Sequence, residues 1–287
     1  VQLILDKRIT INGKKIKKED VLRNGDIIKI WPNDVFLREV KKNHENSQNL
    51  NLECIFDTDD FVVFNKTADV VVQGAQHKNT AISLHLAWYK EQLGDTSDFE
   101  YFHAHRLDKD TSGAIVVAKT LPALRELNRI FRGREVTKKY LCICVGEFDE
   151  KEGEVELFLK KNPEGSREKM SICSQNDTEA LKSISVYKVL EEFNAEDEFL
   201  SLVEVEILTG ITHQIRVHMK SLGHPVLMDT MYGNSVVNRK FESKLKRQFL
   251  HAVYLAFNYE GKDYEFTAAF TQDLIDFMEY LENIDTE

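Results

Sequence analysis

The sequence predicts an α+β protein in which strands dominate, with a small basic β-rich segment in front of a larger domain. Three observations predict it: strand-like runs recur along the chain, helical apolar spacing separates some of them, and the first 32 residues differ in charge from the rest. With 287 residues, 42% of them apolar and 30% charged, the chain can form a mid-sized core with an appended module. This composition excludes a disordered or fibrous protein.

The first 32 residues predict a basic β-rich module. They hold eight Lys or Arg and four Asp or Glu, a net charge of +4, whereas the whole chain carries −10. Asn12-Gly13 and Gly25-Asp26 are typical of hairpin turns, and the run DIIKIW of a short strand. The next residues are polar and lose apolar periodicity, which predicts a linker. We therefore expect a module, a linker and a main domain at residues 1–33, 34–50 and 51–287.

The main domain predicts four strands, at residues 61–65, 114–118, 140–146 and 199–208. In the last run, apolar residues alternate with Glu204 and Glu206, as in a half-buried strand.

Helices are predicted between and after these strands. Thr120 is placed to cap the helix LPALRELNRIFRG, with Pro122 in its first turn. The run THQIRVHMKSLG predicts a second helix that ends at Gly223, and LIDFMEYL a third. No fixed repeat is visible, which excludes a solenoid or propeller.

Membrane insertion and metal binding are not expected. No run approaches the about 18 apolar residues of a membrane span, and the first residues lack a secretory signal, so we expect a cytoplasmic protein. His213 and His218 lie five residues apart, unlike the i, i+4 pair of a helical zinc site. The four cysteines lack CxxC spacing and are expected to be buried free thiols: Cys54, Cys142, Cys144 and Cys173.

The segment HRLDKDTSG concentrates titratable groups before a strand. In extended backbone Arg106 and Asp108 would share a face, with Leu107 in the core, and this arrangement holds a carboxylate rigidly. Alternatively, Asp108 and Asp110 only cap a turn. On this segment alone the turn is favoured, since turn aspartates outnumber catalytic ones.

A second segment offers a partner for this carboxylate. In the helix THQIRVHMKSLG, His213 and Arg216 are expected about one turn apart on one face, near a sheet edge. A guanidinium within a few ångström would lower an aspartate pKa by about 1 to 3 units. The alternative is a helix whose His and Arg face solvent.

A third segment, FRGREVTKKYLCICVGEF, carries basic side chains beside Tyr140, which suits phosphate contacts with base stacking. A solvated basic helix end beside a core tyrosine fits the composition equally well. The basic residues are Arg132, Arg134, Lys138 and Lys139.

Together these segments resemble the RluA family of pseudouridine synthases over most of residues 52–270. The matching motifs are DDFVVFNK, HRLDKDTSG with VVAKT, VTKKYLCICVGEF, THQIRVHMKSLGHPVLMDTMYG and KRQFLHAVYLAF. The resemblance implies a mixed, mostly antiparallel central sheet flanked by helices, with a cleft across its middle. The N-terminal segment resembles the latter part of the αL RNA-binding module that often precedes this domain.

The resemblance also implies roles for individual residues. Asp108 is the implied catalytic aspartate, Arg216 pairs with it, and Tyr140 stacks on the target uracil and assists proton removal. Arg106 is implied to fill the space that the flipped nucleotide leaves. Together with Arg106, the expected substrate-binding residues are His105, Thr111, Lys139, His213 and Gln214.

Two departures from the family pattern stand out. Ile211 replaces a basic residue that many relatives carry before Thr-His-Gln, which removes one phosphate or loop contact. The run Lys66-Thr67-Ala68-Asp69 replaces Lys-Pro-x-Gly, so the turn there is expected to differ. Neither change touches the three implied catalytic side chains.

The implied reaction isomerises uridine to pseudouridine and needs no cofactor or metal. An ionised carboxylate acts as nucleophile at the sugar or ring, or as base at the sugar's carbon-2, on a flipped or single-stranded uridine. The expected partner of this monomer is RNA, with large-subunit ribosomal RNA preferred and tRNA as the alternative. Two other classes stay open: a non-catalytic RNA-binding protein, and a glycoside hydrolase that pairs Asp108 with Asp110 or Asp229.

Overall fold

The computed structural model describes residues 9–15, 27–30, 52–72, 81–162 and 169–284. The described N-terminal residues form a three-stranded antiparallel sheet, in the order β2-β1-β3: β1 (Ile9–Ile11), β2 (Lys14–Lys15) and β3 (Ile28–Ile30). Asn12 and Gly13 have positive φ angles of 51° and 81°, which suits the predicted tight hairpin between β1 and β2. The predicted turn at Gly25-Asp26 and the predicted linker lie outside the described residues.

The main domain contains eleven described strands in one sheet, with five described helices. Its first half comprises β4 (Glu53–Asp57), β5 (Phe61–Lys66), α1 (Ala81–Gln92), β6 (Phe102–His103), β7 (Ser112–Ala118) and α2 (Leu121–Gly133). Its middle comprises β8 (Val136–Val145), β9 (Glu152–Lys161), β10 (Met170–Ile172), β11 (Leu181–Ala195) and β12 (Glu198–Ile207). The remainder comprises α3 (Gln214–Ser221), α4 (Ser235–Phe241), β13 (Leu250–Tyr259), β14 (Lys262–Thr267) and α5 (Gln272–Ile284).

The sheet runs in the order β10-β9-β11-β12-β8-β13-β7-β5-β4, with β14 beside β13 and β6 beside β7. Among the described pairs β7 and β13 are parallel, and the others are antiparallel. The α+β class and the mixed, mostly antiparallel sheet are therefore confirmed. Strand β13 lies between β7 and β8, although it follows both by more than a hundred residues.

A close backbone approach marks the parallel pair. Gly113 lies opposite Ala252 with a φ of 117°, and a Cβ on Gly113 would stand 2.3 Å from the carbonyl oxygen of Ala252. Only glycine fits this position, because it tolerates the φ angle and leaves space for the neighbouring strand.

Helix α2 follows its sequence signals. The Thr120 side chain accepts a hydrogen bond from the backbone N–H of Ala123 at 3.2 Å, and Pro122 lies in the first turn. Its buried residues Ala123, Leu127 and Ile130 recur at helical spacing and pack in the cluster that contains β7 and β13 side chains. The opposite face of α2 therefore remains exposed.

Most predicted elements are confirmed, with shifted boundaries. Strands form over the predicted runs 61–65, 114–118 and 199–208, whereas β8 begins four residues before its predicted start. Helix α3 begins at Gln214, and His213 before it has a left-handed φ of 57°. The expectation that His213 and Arg216 share one helical face is therefore wrong, because His213 is not helical.

The cysteine expectation is partly wrong. Cys142 and Cys144 are buried on β8, but Cys54 is exposed and Cys173 is half-buried. Cys54 lies on β4, which is the last strand in the order of the described sheet. None of the described helices is long and apolar enough to cross a membrane.

Candidate active site

A cavity of about 300 Å³ opens where the loop before β7, helix α2, the start of β8 and the segment before α3 meet. Its lining combines an apolar floor with a cluster of charged groups. The charged side chains are Arg106, Asp108, Arg132, Lys138 and Arg216. The cavity therefore brings together residues from all three motif segments.

Asp108 stands on a tight turn at the edge of this cavity. Leu107 before it is 5% exposed and lies in the core, while the exposed Arg106 and the partly buried Asp108 both line the cavity. The backbone N–H of Thr111 donates to the carbonyl oxygen of Asp108 at 3.1 Å. Asp108 therefore begins a turn through its backbone carbonyl, while its side chain lines the cavity.

Arg216 joins two aspartates. Its Nη1 donates to Oδ2 of Asp108 at 3.2 Å, as the predicted pair requires. Its Nε and Nη2 donate to Oδ2 and Oδ1 of Asp229 at 2.7 and 2.9 Å. Because the two bonds to Asp229 are parallel and buried, Asp229 sets the orientation of the guanidinium, and the remaining edge faces Asp108.

Asp229 is itself held as an anion. Its Oδ1 accepts hydrogen bonds from the backbone N–H groups of Met231 and Tyr232 at 2.8 and 3.0 Å. Burial alone would raise the pKa of Asp229, but the hydrogen bonds and charge of Arg216 outweigh it and hold the pKa below its usual value. Burial likewise opposes the charge on Arg216, and the two aspartates raise its pKa nonetheless.

Tyr232 ties the helix start to this cluster. The Arg216 guanidinium lies 5.0 Å from the centre of the Tyr232 ring, in a cation–π contact. The Tyr232 hydroxyl is 2.9 Å from Nδ1 of His213, and it accepts a hydrogen bond from the Met170 backbone at 2.7 Å. His213 thereby presents Nε2 to Asp108, at 3.8 Å from Oδ2. Burial lowers the pKa of His213.

Tyr140 lines the cavity from β8 and is 7% exposed. Burial, and then the negative charge of Asp108, raise the pKa of its hydroxyl above the usual range. The hydroxyl is therefore protonated at neutral pH. The ring lies on the wall of the cavity, and the hydroxyl experiences the charge of Asp108.

His105 lines the cavity but is engaged by the protein. Its Nε2 accepts a hydrogen bond from the backbone N–H of Val116 at 3.1 Å, and its ring stacks on Phe131 with 4.6 Å between centres. Burial and the charge of Lys138 lower the pKa of His105 to about 3. His105 is therefore a neutral imidazole with one nitrogen already hydrogen-bonded. It forms part of the cavity wall, where its ring can pack against a ligand.

Two further predicted residues reach the cavity mainly as supports. Thr111 Oγ1 accepts a hydrogen bond from Gln248 at 2.9 Å. Gln214 accepts from Thr209 at 2.7 Å and from the Ile211 backbone at 3.1 Å, and it donates to the Ile184 carbonyl at 2.8 Å. These contacts hold the segment before α3 in place.

The structure does not bring Lys139 to the cavity. Lys139 forms an ion pair of 3.0 Å with Glu204 on the other face of β8, whereas Lys138 and Tyr140 share the cavity face. Burial and the charge of Arg134 lower the pKa of Lys138 to about 8. Period-two alternation from Tyr140 would have selected Lys138 from the sequence.

Three residues that the sequence did not assign anchor the Asp108 loop. Lys66 is fully buried and donates to the carbonyl of Lys109 at 3.1 Å as well as to two carbonyls of its own turn. Arg247 donates to the carbonyl of Asp110 at 3.1 Å, and Gln248 holds Thr111. The turn after Lys66 keeps a left-handed residue, Asp69 at φ 63°, where the resembled motif has glycine.

No group of three His, Cys, Asp or Glu side chains that could hold a metal ion occurs among the described residues. For chemistry the site offers the oriented carboxylate of Asp108, the protonated phenol of Tyr140 and several cationic side chains around them. Asp229 is 1% exposed and fully engaged, so it does not offer a second carboxylate to a substrate.

Comparison with known proteins identifies the family of this chain. Residues 60–221 match the family model described as RNA pseudouridylate synthase. The ribosomal large subunit pseudouridine synthase C of Salmonella typhi is 33% identical over 88% of this chain and 77% of that protein. The synthase D of Yersinia pestis is 30% identical over 99% of this chain and 86% of that protein.

A solved structure shares the fold as well. Human RNA pseudouridylate synthase domain containing 1 superposes with a TM-score of 0.62 at 28% identity, over 81% of this chain and 95% of that chain. The family match covers more than half of the 287 residues. We conclude that the chain belongs to the RNA pseudouridylate synthase family and is an enzyme that isomerises uridine in RNA to pseudouridine.

Proposed function

We propose that this enzyme acts on large-subunit ribosomal RNA, and that Asp108 is its reacting carboxylate. One observation carries the assignment of Asp108: among the described residues that line the cavity, it is the single carboxylate. Its neighbours Arg216 and Tyr140 supply the charge partner and the aromatic surface that the reaction needs. The substrate is inferred from relatives named as ribosomal large subunit pseudouridine synthases.

The chemistry follows from what these groups offer. The glycosidic bond breaks, the uracil turns, and its carbon-5 joins the sugar, with no redox step. An ionised Asp108 attacks as nucleophile or removes a proton at carbon-2 of the sugar. Arg216 keeps the carboxylate aimed because Asp229 fixes the guanidinium from the other side.

Tyr140 acts on the uracil ring of the target uridine. Its ring forms a wall against which the turning uracil stacks, and its hydroxyl lies in reach of the cavity. The proton on carbon-5 must leave once the new carbon–carbon bond has formed. Burial and the Asp108 charge raise the pKa of Tyr140, so its hydroxyl stays protonated and can take up that proton only while it passes its own proton on to water.

Entry of the uridine requires that it leave the RNA stack. Four cationic side chains line the cavity, Arg106, Arg132, Lys138 and Arg216, in a chain whose net charge is −10. Such a local positive field holds RNA phosphates, which repays the cost of flipping the nucleotide. The exposed Arg106 at the mouth fills the place that the nucleotide leaves. The basic N-terminal module adds further RNA contacts.

The decisive experiment measures tritium release from RNA labelled at carbon-5 of uracil. We expect release from ribosomal RNA with the wild-type enzyme, none with Asp108→Asn, and wild-type release with Asp110→Asn. Asp110 is the matched control, since it lies on the same turn but does not line the cavity. Equal release from Asp108→Asn and wild type would overturn the role of Asp108.

The substrate is tested in the same assay. Release from tRNA but not from large-subunit ribosomal RNA would overturn the substrate assignment. Free uracil among the products would indicate a glycoside hydrolase instead. Mapping of modified uridines in cells with and without the gene then identifies the position.

A further inference from the structure

Helix α2 presents a row of polar residues that runs away from the cavity. Arg125, Asn128 and Arg132 recur at positions i, i+3 and i+7 and therefore lie on one face of the helix. Both arginines are exposed, and Asn128 is half-buried. We call these three residues the arginine track.

The arginine track is continuous with the active site. Asn128 and Arg132 line the catalytic cavity, and with Arg125 they also line a shallow depression on the outer side of the helix. Arg125 and Arg132 are separated by about 10 Å along the helix axis, at 1.5 Å per residue. A polymer whose one unit enters the cavity would thus meet a second positive side chain further along.

The two track arginines differ from the arginine beside them. Arg129 donates to Glu126 at 3.1 Å and to Glu135 at 2.7 Å, so two carboxylates neutralise it. Within the described part of the chain, neither Arg125 nor Arg132 has an acidic group within 4 Å. The charge of Arg125 and Arg132 is therefore available to a ligand, whereas the charge of Arg129 is compensated by Glu126 and Glu135.

We propose that the arginine track binds the RNA strand next to the target uridine, with Arg125 and Arg132 each contacting a phosphate. The proposal rests on the proposed function, because the uridine in the cavity fixes which polymer passes over the helix. RNA fits this surface better than an acidic protein would, since the track is narrow, leads directly into the cavity and repeats along one line. Asn128 between the arginines adds a hydrogen-bond donor and acceptor for a sugar or base.

The salt dependence of RNA binding tests the track quantitatively. Each phosphate contact on a single strand adds about 0.7 to the slope of log Kd against log salt. We expect Arg125→Gln with Arg132→Gln to reduce that slope by about 1.4. Between about 50 and about 200 mM salt, the wild-type affinity should then fall about 7-fold more than the affinity of the double variant.

The measurement uses the full chain and an unmodified transcript of large-subunit ribosomal RNA, in an Asp108→Asn background that blocks turnover. Arg129→Gln is the matched control, since it removes an arginine from the same helix whose charge is already compensated. It should leave the slope unchanged. Arg125→Lys with Arg132→Lys retains both charges and should restore the wild-type slope, which a packing role would not predict.

The outcomes separate this proposal from the proposed function. An unchanged slope in the Gln double variant, or an equal loss with Arg129→Gln, overturns the arginine track even if the wild type releases tritium. A reduced slope supports the track even if the wild type releases tritium only from another RNA. If the slope of log Kd against log salt also falls in Arg125→Lys with Arg132→Lys, the claim that the positive charge of the arginine track binds phosphate is overturned.

Discussion

The Asp229→Asn substitution tests the claim that Asp229 positions the guanidinium that serves Asp108. In the wild type, the side-chain carboxylate of Asp229 accepts four hydrogen bonds, two of them from Arg216. An asparagine oxygen can replace the Oδ1 atom that serves Met231 and Tyr232. Its amide nitrogen, however, would face Nε of Arg216, a donor against a donor, and the negative charge would be lost.

The magnitude follows from burial. Asp229 is 1% exposed and Arg216 is 6% exposed, so the guanidinium loses its principal counter-charge where water cannot replace it. Removal of one partner from such a buried pair costs about 3 to 5 kcal/mol of unfolding free energy. Arg216 would turn toward Asp108, and a displacement of about 1 Å in a reacting group costs about 100-fold in rate.

The assay combines urea unfolding with single-turnover tritium release at a temperature where every variant is folded. Asp57→Asn is the matched control, because Asp57 pairs with Lys119 at 2.8 Å, their side chains are 27% and 12% exposed, and neither residue lines the cavity. We expect both variants to lose stability but only Asp229→Asn to lose turnover of the folded enzyme. Wild-type turnover in Asp229→Asn, or an equal loss in both variants, would refute the reasoning.

Three further predictions follow from single features. Gly113→Ala should destabilise the fold by more than about 3 kcal/mol in urea unfolding, because the new Cβ would meet the Ala252 carbonyl in an unfavourable φ region; a smaller loss would show that β7 and β13 can separate. Tyr140→Phe should lower turnover about 100-fold while the unfolding free energy changes by less than about 1 kcal/mol, if the hydroxyl relays a proton; unchanged turnover would leave only stacking. Burial lowers the pKa values of His218 and His251 to about 4, so both are neutral in the folded protein while the unfolded chain takes up protons below about 6.5. Stability should thus be lost as pH falls from about 6.5 toward 4, by about 2 kcal/mol per histidine at pH 5, and His218→Gln should remove one such share in urea titrations; a pH-independent midpoint would contradict this.

Much of the site could be predicted from sequence because its residues lie in short motifs. Asp108, Arg216 and Tyr140 come from three separate motifs, and the structure brings them to one cavity. Lys139 was misassigned because adjacent residues of a strand face opposite sides of the sheet, and Lys138 shares the cavity face of Tyr140.

Asp229 could not be assigned because its role depends on a contact with Arg216, 13 residues earlier, which no local pattern specifies. The apolar Leu227 and Met228 before it and Met231 shortly after it were a signal of a buried carboxylate that requires a partner.

In the fold as well, features set by neighbouring residues could be predicted, and features set by contacts distant in the sequence could not. Helix α2 was predicted to its ends, since its cap, proline and apolar spacing are all local. The 15-residue strand β11 was missed, because its buried face carries Ser183 and Ser185 while Val186 and Leu190 are exposed, so apolar alternation is hidden in the sequence. The place of β13 between β7 and β8 depends on pairings across the whole domain, which periodicity does not reveal.

The central place of β13 in the sheet has a consequence for the order in which the parts of the active site are synthesised. Asp108 precedes β7 and Tyr140 lies on β8, and in the described sheet β13 lies between these two strands. His251 of β13 meets Ser112 of β7 across 139 positions of the chain. A polypeptide emerging from the ribosome thus carries both halves of its reaction centre long before the bridging strand is synthesised. We therefore expect a chain that ends before β13 to be inactive, because the strand that lies between β7 and β8 would be missing.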